Sequence, residues 1–133
     1  MIKGIGIDVV HVHRLEHWIK TPGLLERYFH PHELETARSR GHGMAVSLAA
    51  RFAAKEAFGK ALGTGLKNIV LKDIMVVNRH NGQPEIQVFG TALAALQKFG
   101  ANRIHLSLTH ERDNAIAMIV LEQVDEGAGG LLP

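Results

Sequence analysis

The sequence predicts a single α+β domain with an antiparallel sheet, a long central helix and shorter helices. Three observations predict it. Residues 44–62 carry Ala45, Leu48, Ala49, Phe52 and Ala53 at i, i+3, i+4, i+7 and i+8, the spacing of one helix face. Residues 103–109 alternate, with Ile104, Leu106 and Leu108 on one side, and the apolar run 115–122 suits their hairpin partner. Helical patterns crowd the first half of the chain, with one more between the later strands.

Each element has its own signal. Residues 2–10 read as a strand with Ile5, Ile7 and Val9 on one face and Gly4, Gly6 and Asp8 on the other. The glycines leave room on that second face for a ligand or another backbone. Residues 11–20 read as a helix with Val12, Leu15 and Ile19 inward and Arg14 off that face, ended by Pro22-Gly23. A short helix follows at 24–30, and Pro31 suits the first turn of another at 31–40. The long helix closes on Gly63-Thr64-Gly65 as on a glycine C-cap. Strands are expected at 69–77 and 85–89, joined by the tight-turn signal Asn81-Gly82. Thr91 is positioned to cap a helix at 92–99 that Gly100 ends. The tail 125–133, with three glycines and no periodicity, is expected to be disordered, leaving 1–124 as the domain.

Composition bounds the function. At 133 residues the chain fits one domain, and with no cysteine any metal must sit on oxygen or imidazole. The N-terminal apolar run is broken by glycine and ended by Asp8, a poor secretory signal, and no apolar stretch approaches the ~20 residues of a membrane span. A soluble, cytoplasmic protein with no membrane partner is expected. Aromatic residues are only 5%, which argues against a base-stacking nucleic-acid platform. The nine histidines are not read as a zinc signature and there is no P-loop, so zinc enzymes and P-loop NTPases are disfavoured. The formal charge of +2 suits either an ordinary surface or attraction to acidic proteins or phosphates.

Glu56 is the most informative residue. It falls in the middle of the apolar stripe of the long helix, four after Phe52 and three after Ala53. A carboxylate there needs a cation: a metal, an arginine or a lysine. Lys60, one turn on, offers either a structural helix pair or part of a catalytic charge set. Asp8, in its glycine-flanked strand, either caps the next helix or joins Glu56 in holding Mg²⁺, which takes few carboxylates and completes its shell with water and phosphate. Arg51 and Lys55 point off the stripe, towards a ligand phosphate or towards solvent. His110 sits where a strand turns.

Three segments in order carry a resemblance: Gly-Ile-Gly-Ile-Asp-Val-Val at 4–10 with Arg14, Arg-Phe-Ala-Ala-Lys-Glu-Ala-Phe-Gly-Lys-Ala-Leu-Gly-Thr-Gly at 51–65, and Ser-Leu-Thr-His at 107–110 before a small apolar strand. Together they resemble the small bacterial 4′-phosphopantetheinyl transferases, the holo-[acyl-carrier-protein] synthase family, over nearly the whole chain to about residue 122. The resemblance implies the fold of that family and transfer of the 4′-phosphopantetheine group of coenzyme A to a serine of apo acyl carrier protein. The products are holo carrier protein and adenosine 3′,5′-bisphosphate, in support of fatty acid biosynthesis. It implies Asp8 and Glu56 as Mg²⁺ ligands and Asp8, Glu56 and Lys60 as the catalytic set, with Lys60 facing the pyrophosphate. Arg51, Lys60, Gly63, Gly65, Gly82, Pro84 and His110 match CoA-binding positions, and Arg14 matches a residue that meets the acidic carrier protein. A homotrimer with active sites between subunits is implied as well. The chain departs from the family at His11, usually glutamate, and at Gln83, where a basic residue is common. Two other readings are a non-catalytic CoA- or nucleotide-binding subunit and a basic adaptor for acidic proteins. Joint presence of Asp8, Glu56 and Lys60 argues against the first.

Overall fold

The structure, a computed structural model, describes residues 1–125. The expected tail therefore lies outside the described residues apart from Asp125. The elements run β1 (Ile2–His11), α1 (Val12–Ile19), α2 (Leu24–Tyr28), α3 (Pro31–Arg38), α4 (Met44–Leu62), β2 (Ile74–Asn78), β3 (Pro84–Val88), α5 (Gly90–Phe99), β4 (Arg103–Glu111) and β5 (Asn114–Glu122). Short 3₁₀ turns precede α4 at Gly41–Gly43 and β2 at Leu71–Asp73.

The antiparallel strands form two sheets. β5 lies between β1 and β4 in one, and β2 pairs with β3 in the other. β5 takes the centre because it is apolar on both faces. Its alternate residues Ala115, Ala117, Ile119 and Leu121 are fully buried against α4, and Val10 on β1 joins them.

The face of β1 that turns inward is the glycine face. Gly6 and Val10 are buried, whereas Ile5, Ile7 and Val9 are 64%, 57% and 54% exposed. The space beside the glycines is filled by another backbone, that of α4. A Cβ on Gly6 would sit 2.0 Å from the Ala57 carbonyl oxygen, and one on Gly4 would sit 2.1 Å from that of Ala61. Small residues on both sides permit this approach: Ala53, Ala57 and Ala61 on the helix, Ala115 and Ala117 on the sheet. The helix is buried almost all round rather than along one stripe, because α1 and α3 cover its other sides.

Several expectations are corrected by tertiary contacts. Ile19 is 36% exposed, and Trp18 packs instead, its ring 5.1 Å from Tyr28 and 4.9 Å from Phe52. Arg51 and Lys55 are not solvated, at 4% and 0% exposure. Lys55 Nζ donates to Glu33 Oε1 at 2.8 Å, to the Leu71 carbonyl at 3.0 Å and to the Ile74 carbonyl. Those carbonyls help explain why the strand expected from residue 69 starts only at Ile74. The chain turns around the lysine first. Thr91 does not cap α5 either. Asp73 reaches over from the preceding turn, accepting the Thr91 N–H at 2.8 Å and its hydroxyl at 2.6 Å, and the helix begins at Gly90.

The close approach at Gly6 gives a stability prediction. Gly6→Ala forces a methyl against backbone rather than against a movable side chain, and should cost about 1–3 kcal/mol. Gly43→Ala, where the nearest atom to the new methyl is Arg40 Cβ at 3.6 Å, should be near neutral. Urea unfolding of both variants beside the parent chain checks the difference.

Candidate active site

Asp8 reaches the site because the β1 face shared with Gly4 and Gly6 lies against α4. Its side chain is only 16% exposed, and Oδ1 accepts from Lys60 Nζ at 2.7 Å. This contact decides two open alternatives. Lys60 pairs with Asp8 across 52 residues rather than forming the helix pair with Glu56. Asp8 does not cap α1, whose N-cap is His11 with no side-chain cap hydrogen bond.

Glu56 stands on α4 one turn before Lys60 and is half-buried. Burial pushes its carboxyl above the ordinary range, and the charge of Asp8 pushes the same way, while Arg14 and Lys60 partly oppose them. The Lys60 ammonium is held up by the hydrogen bond and charge of Asp8 and further by Glu56. Arg14 lies over the rings of Trp18 and Phe52, its guanidinium 5.0 Å and 5.2 Å from their centroids. Asp8, Arg14, Glu56 and Lys60 are thus one electrostatic cluster, assembled from β1, α1 and α4.

The donor set fits a hard cation. The charge of Asp8 opposes ionisation of the partly desolvated Glu56, so a divalent ion beside them would relieve both effects on Glu56. Among the described residues no three His, Asp or Glu side chains are arranged to hold a metal. Two oxygen ligands suit Mg²⁺, which keeps several waters and completes its shell with substrate phosphates.

A second group gathers elsewhere on the helix. Arg51 Nη1 donates to Ser47 Oγ at 2.7 Å, and Nη2 donates to Asn78 Oδ1 at 3.0 Å. Asn78 Nδ2 donates to the Gly82 carbonyl at 3.2 Å, and Asn78 is paired with Pro84 across β2 and β3. Arg51, Gly82 and Pro84 are therefore joined through Asn78, which sequence reasoning missed. An exposed asparagine after a Val-Val strand end carries no signal of its own. The Arg51 Nε is buried without a hydrogen-bond partner.

Gly63 and Gly65 follow the end of α4, Gly63 as its left-handed C-cap with φ 80°. His110 lies at the far end of β4, opposite Ala115, exposed and on the helix-facing side of the sheet. Helix geometry separates the two groups: nine residues at 100° each place Arg51 and Lys60 about 180° apart around α4. One chain thus brings Asp8, Glu56, Lys60 and Arg14 together and Arg51, Gly82 and Pro84 together, but on different sides of the helix. The histidines also need a correction. His13 and His17 stand four apart on α1, the helical metal-chelate spacing, and their Nε2 atoms are 3.1 Å apart.

Comparison with known proteins identifies the family. The family described as the 4′-phosphopantetheinyl transferase superfamily matches residues 4–119. The holo-[acyl-carrier-protein] synthase of Treponema denticola is 57% identical over 122 residues, covering 92% of this chain and 99% of that protein. The crystal structure of holo-[acyl-carrier-protein] synthase from Neisseria meningitidis superposes with a TM-score of 0.81 at 37% identity, over 92% of this chain and 100% of that one. The Bacillus anthracis holo-(acyl-carrier-protein) synthase, solved in complex with CoA (3′,5′-ADP), gives a TM-score of 0.78 at 34% identity, over 93% and 99% of the two chains. Matched by that family over residues 4–119 and 57% identical to such a synthase over 92% of its length, the chain belongs to the 4′-phosphopantetheinyl transferase superfamily.

Proposed function

We propose that this chain transfers the 4′-phosphopantetheine arm of coenzyme A to a serine hydroxyl of an apo acyl carrier protein. The observation that carries the reading is the Asp8–Lys60 ion pair beside the half-buried Glu56, on a fold whose relatives bear the name of that activity. The serine oxygen forms a bond to the phosphorus that bears the pantetheine arm. The bond from that phosphorus to the bridging oxygen breaks, and adenosine 3′,5′-bisphosphate leaves with the electron pair. Asp8 and Glu56 would hold Mg²⁺, which when bound neutralises charge on the diphosphate. Lys60 meets the same diphosphate as a flexible point charge, exchanging its Asp8 partner for phosphate oxygen. Glu56 takes the serine proton directly or through water.

Incubation with CoA, Mg²⁺ and apo carrier protein should add the mass of one phosphopantetheine to the carrier. EDTA should stop the gain and added Mg²⁺ restore it. Asp8→Asn, with a poorer ligand for a hard cation and a weaker partner for Lys60, should lose most activity while unfolding normally. An unchanged carrier mass overturns the reading, and full activity in EDTA removes the metal from it.

The assembly we propose is a homotrimer with active sites between subunits. Two observations support it. The Arg51 group and the Lys60 group lie on opposite sides of α4, so a single CoA that uses both must lie between two copies. The outer face of the three-stranded sheet also exposes Ile5, Ile7, Val9 and Met118, with the half-buried Val120 and Ile116 between them, an apolar patch of the kind that marks interfaces. The protein should elute at three times its monomer mass. Ile7→Lys, a change at a 57% exposed site, should yield folded monomers without transfer. Light scattering that finds a fully active monomer removes the claim.

For the carrier, we assign docking to Arg14. Its guanidinium is exposed on α1, braced by Trp18 and Phe52, and close enough to Glu56 to act on its charge. An acidic helix meeting Arg14 would bring its serine to the Asp8–Glu56 side. Steering of this kind acts mainly on encounter and is screened over about 8 Å at physiological ionic strength. Arg14→Glu should raise KM for carrier protein at low salt and leave KM for CoA nearly unchanged. Unaltered carrier kinetics would move docking to another surface.

A further inference from the structure

The geometry points to a second metal site, for a transition metal held by His13 and His17 on the exposed side of α1. Both imidazoles are exposed, and their Nε2 atoms face each other at 3.1 Å with the rings at 77°. In the metal-free protein this contact is an N–H···N hydrogen bond, one ring donating to the other. The same spacing fits a shared cation. With metal–nitrogen bonds of 2.0–2.1 Å, two imidazoles are about 3.3 Å apart at a tetrahedral angle and about 2.9 Å apart at a right angle. The observed distance lies between these values, so a metal replaces the shared proton once a nitrogen aimed along the N–N line turns by roughly 40° towards it. The helix supplies the pre-organisation, since residues four apart are neighbours on its surface.

The surroundings define which ion is held. Among the described residues neither imidazole is in an ion pair, so the nitrogens are not already committed to a carboxylate. Two neutral nitrogens without an oxygen ligand suit Zn²⁺, Cu²⁺ or Ni²⁺ and disfavour Mg²⁺. No third side chain among the described residues completes the set, so water fills the open positions. The site differs from the carboxylates Asp8 and Glu56 in ligand chemistry. It does not depend on the transferase reading, and its test uses no activity.

Zinc titration of the full chain, followed by the ring-proton NMR signals of all nine histidines, tests it. The His13 and His17 signals should move together and saturate at one Zn²⁺ per chain, before the other seven, and Mg²⁺ should leave them in place. His13→Ala and His17→Ala should each weaken binding by more than about tenfold, since even outer-shell partners of a metal are worth 10- to 100-fold. His11→Ala should not weaken it, and the response should persist in Glu56→Gln. Zinc should also raise the melting temperature of the parent and lose that effect in either histidine variant. Simultaneous movement of all the histidines, or unchanged affinity in either variant, overturns the site.

Discussion

The structure depends on how closely α4 approaches β1. Gly4 and Gly6 put the strand backbone directly against the carbonyls of Ala61 and Ala57, with no side chain between them. At that separation Asp8, two residues beyond Gly6, meets Lys60, one turn beyond Glu56. A larger residue at either glycine would push the helix outward and pull the acid away from the lysine. The same packing that forms the core therefore sets the electrostatics of the site. Small residues recur at this interface because any added volume falls on rigid backbone.

The opposite side of the helix is fixed by a buried ion pair. Lys55 and Glu33 are both fully enclosed, and their polar atoms are well partnered. Glu33 Oε1 accepts from Lys55 and from the His30 N–H at 3.0 Å, and Oε2 accepts the Val76 N–H at 3.0 Å. Burial pulls the Lys55 pKa down and Glu33 opposes it. Such a pair adds little stability over apolar packing, but breaking it leaves a charge stranded, so it specifies one arrangement of α3, α4 and β2. That arrangement also sets Arg51, whose own pKa is lowered by burial and supported by Glu33.

Two adjacent helical turns of α4 thus carry cations with different tasks. Lys55 is consumed internally, whereas Lys60 keeps 55% of its side chain exposed and stays free to exchange partners. The difference lies in what each faces: α3 and the turn before β2 enclose the first, and only the edge of Asp8 meets the second. Glu56, between them in sequence, inherits partial burial from the helix and a carboxylate neighbour from the strand. Cations ease both effects, as Arg14 and Lys60 already do in part.

Most of the elements are legible in the sequence. Apolar period marked α4 and the β4–β5 hairpin, Pro31 opened α3, and glycine closed α4 and α5. It also singled out Asp8, Glu56 and Lys60, because acids in a glycine-flanked strand and on an apolar stripe need a reason to be there. Where each charge finds its partner depends on contacts between distant segments. Helical spacing cannot tell Lys55 from Lys60, since the enclosing partner Glu33 lies 22 residues from Lys55. Nor can strand alternation tell which face of β1 is inward. Hydropathy favours Ile5, Ile7 and Val9, but backbone contact at the glycines outweighs it within one chain. Asn78 joins Arg51 to Gly82 and Pro84 only once β2 is folded against α4. Local sequence encodes propensity and period, while partners distant along the chain fix burial, and burial decides the charge.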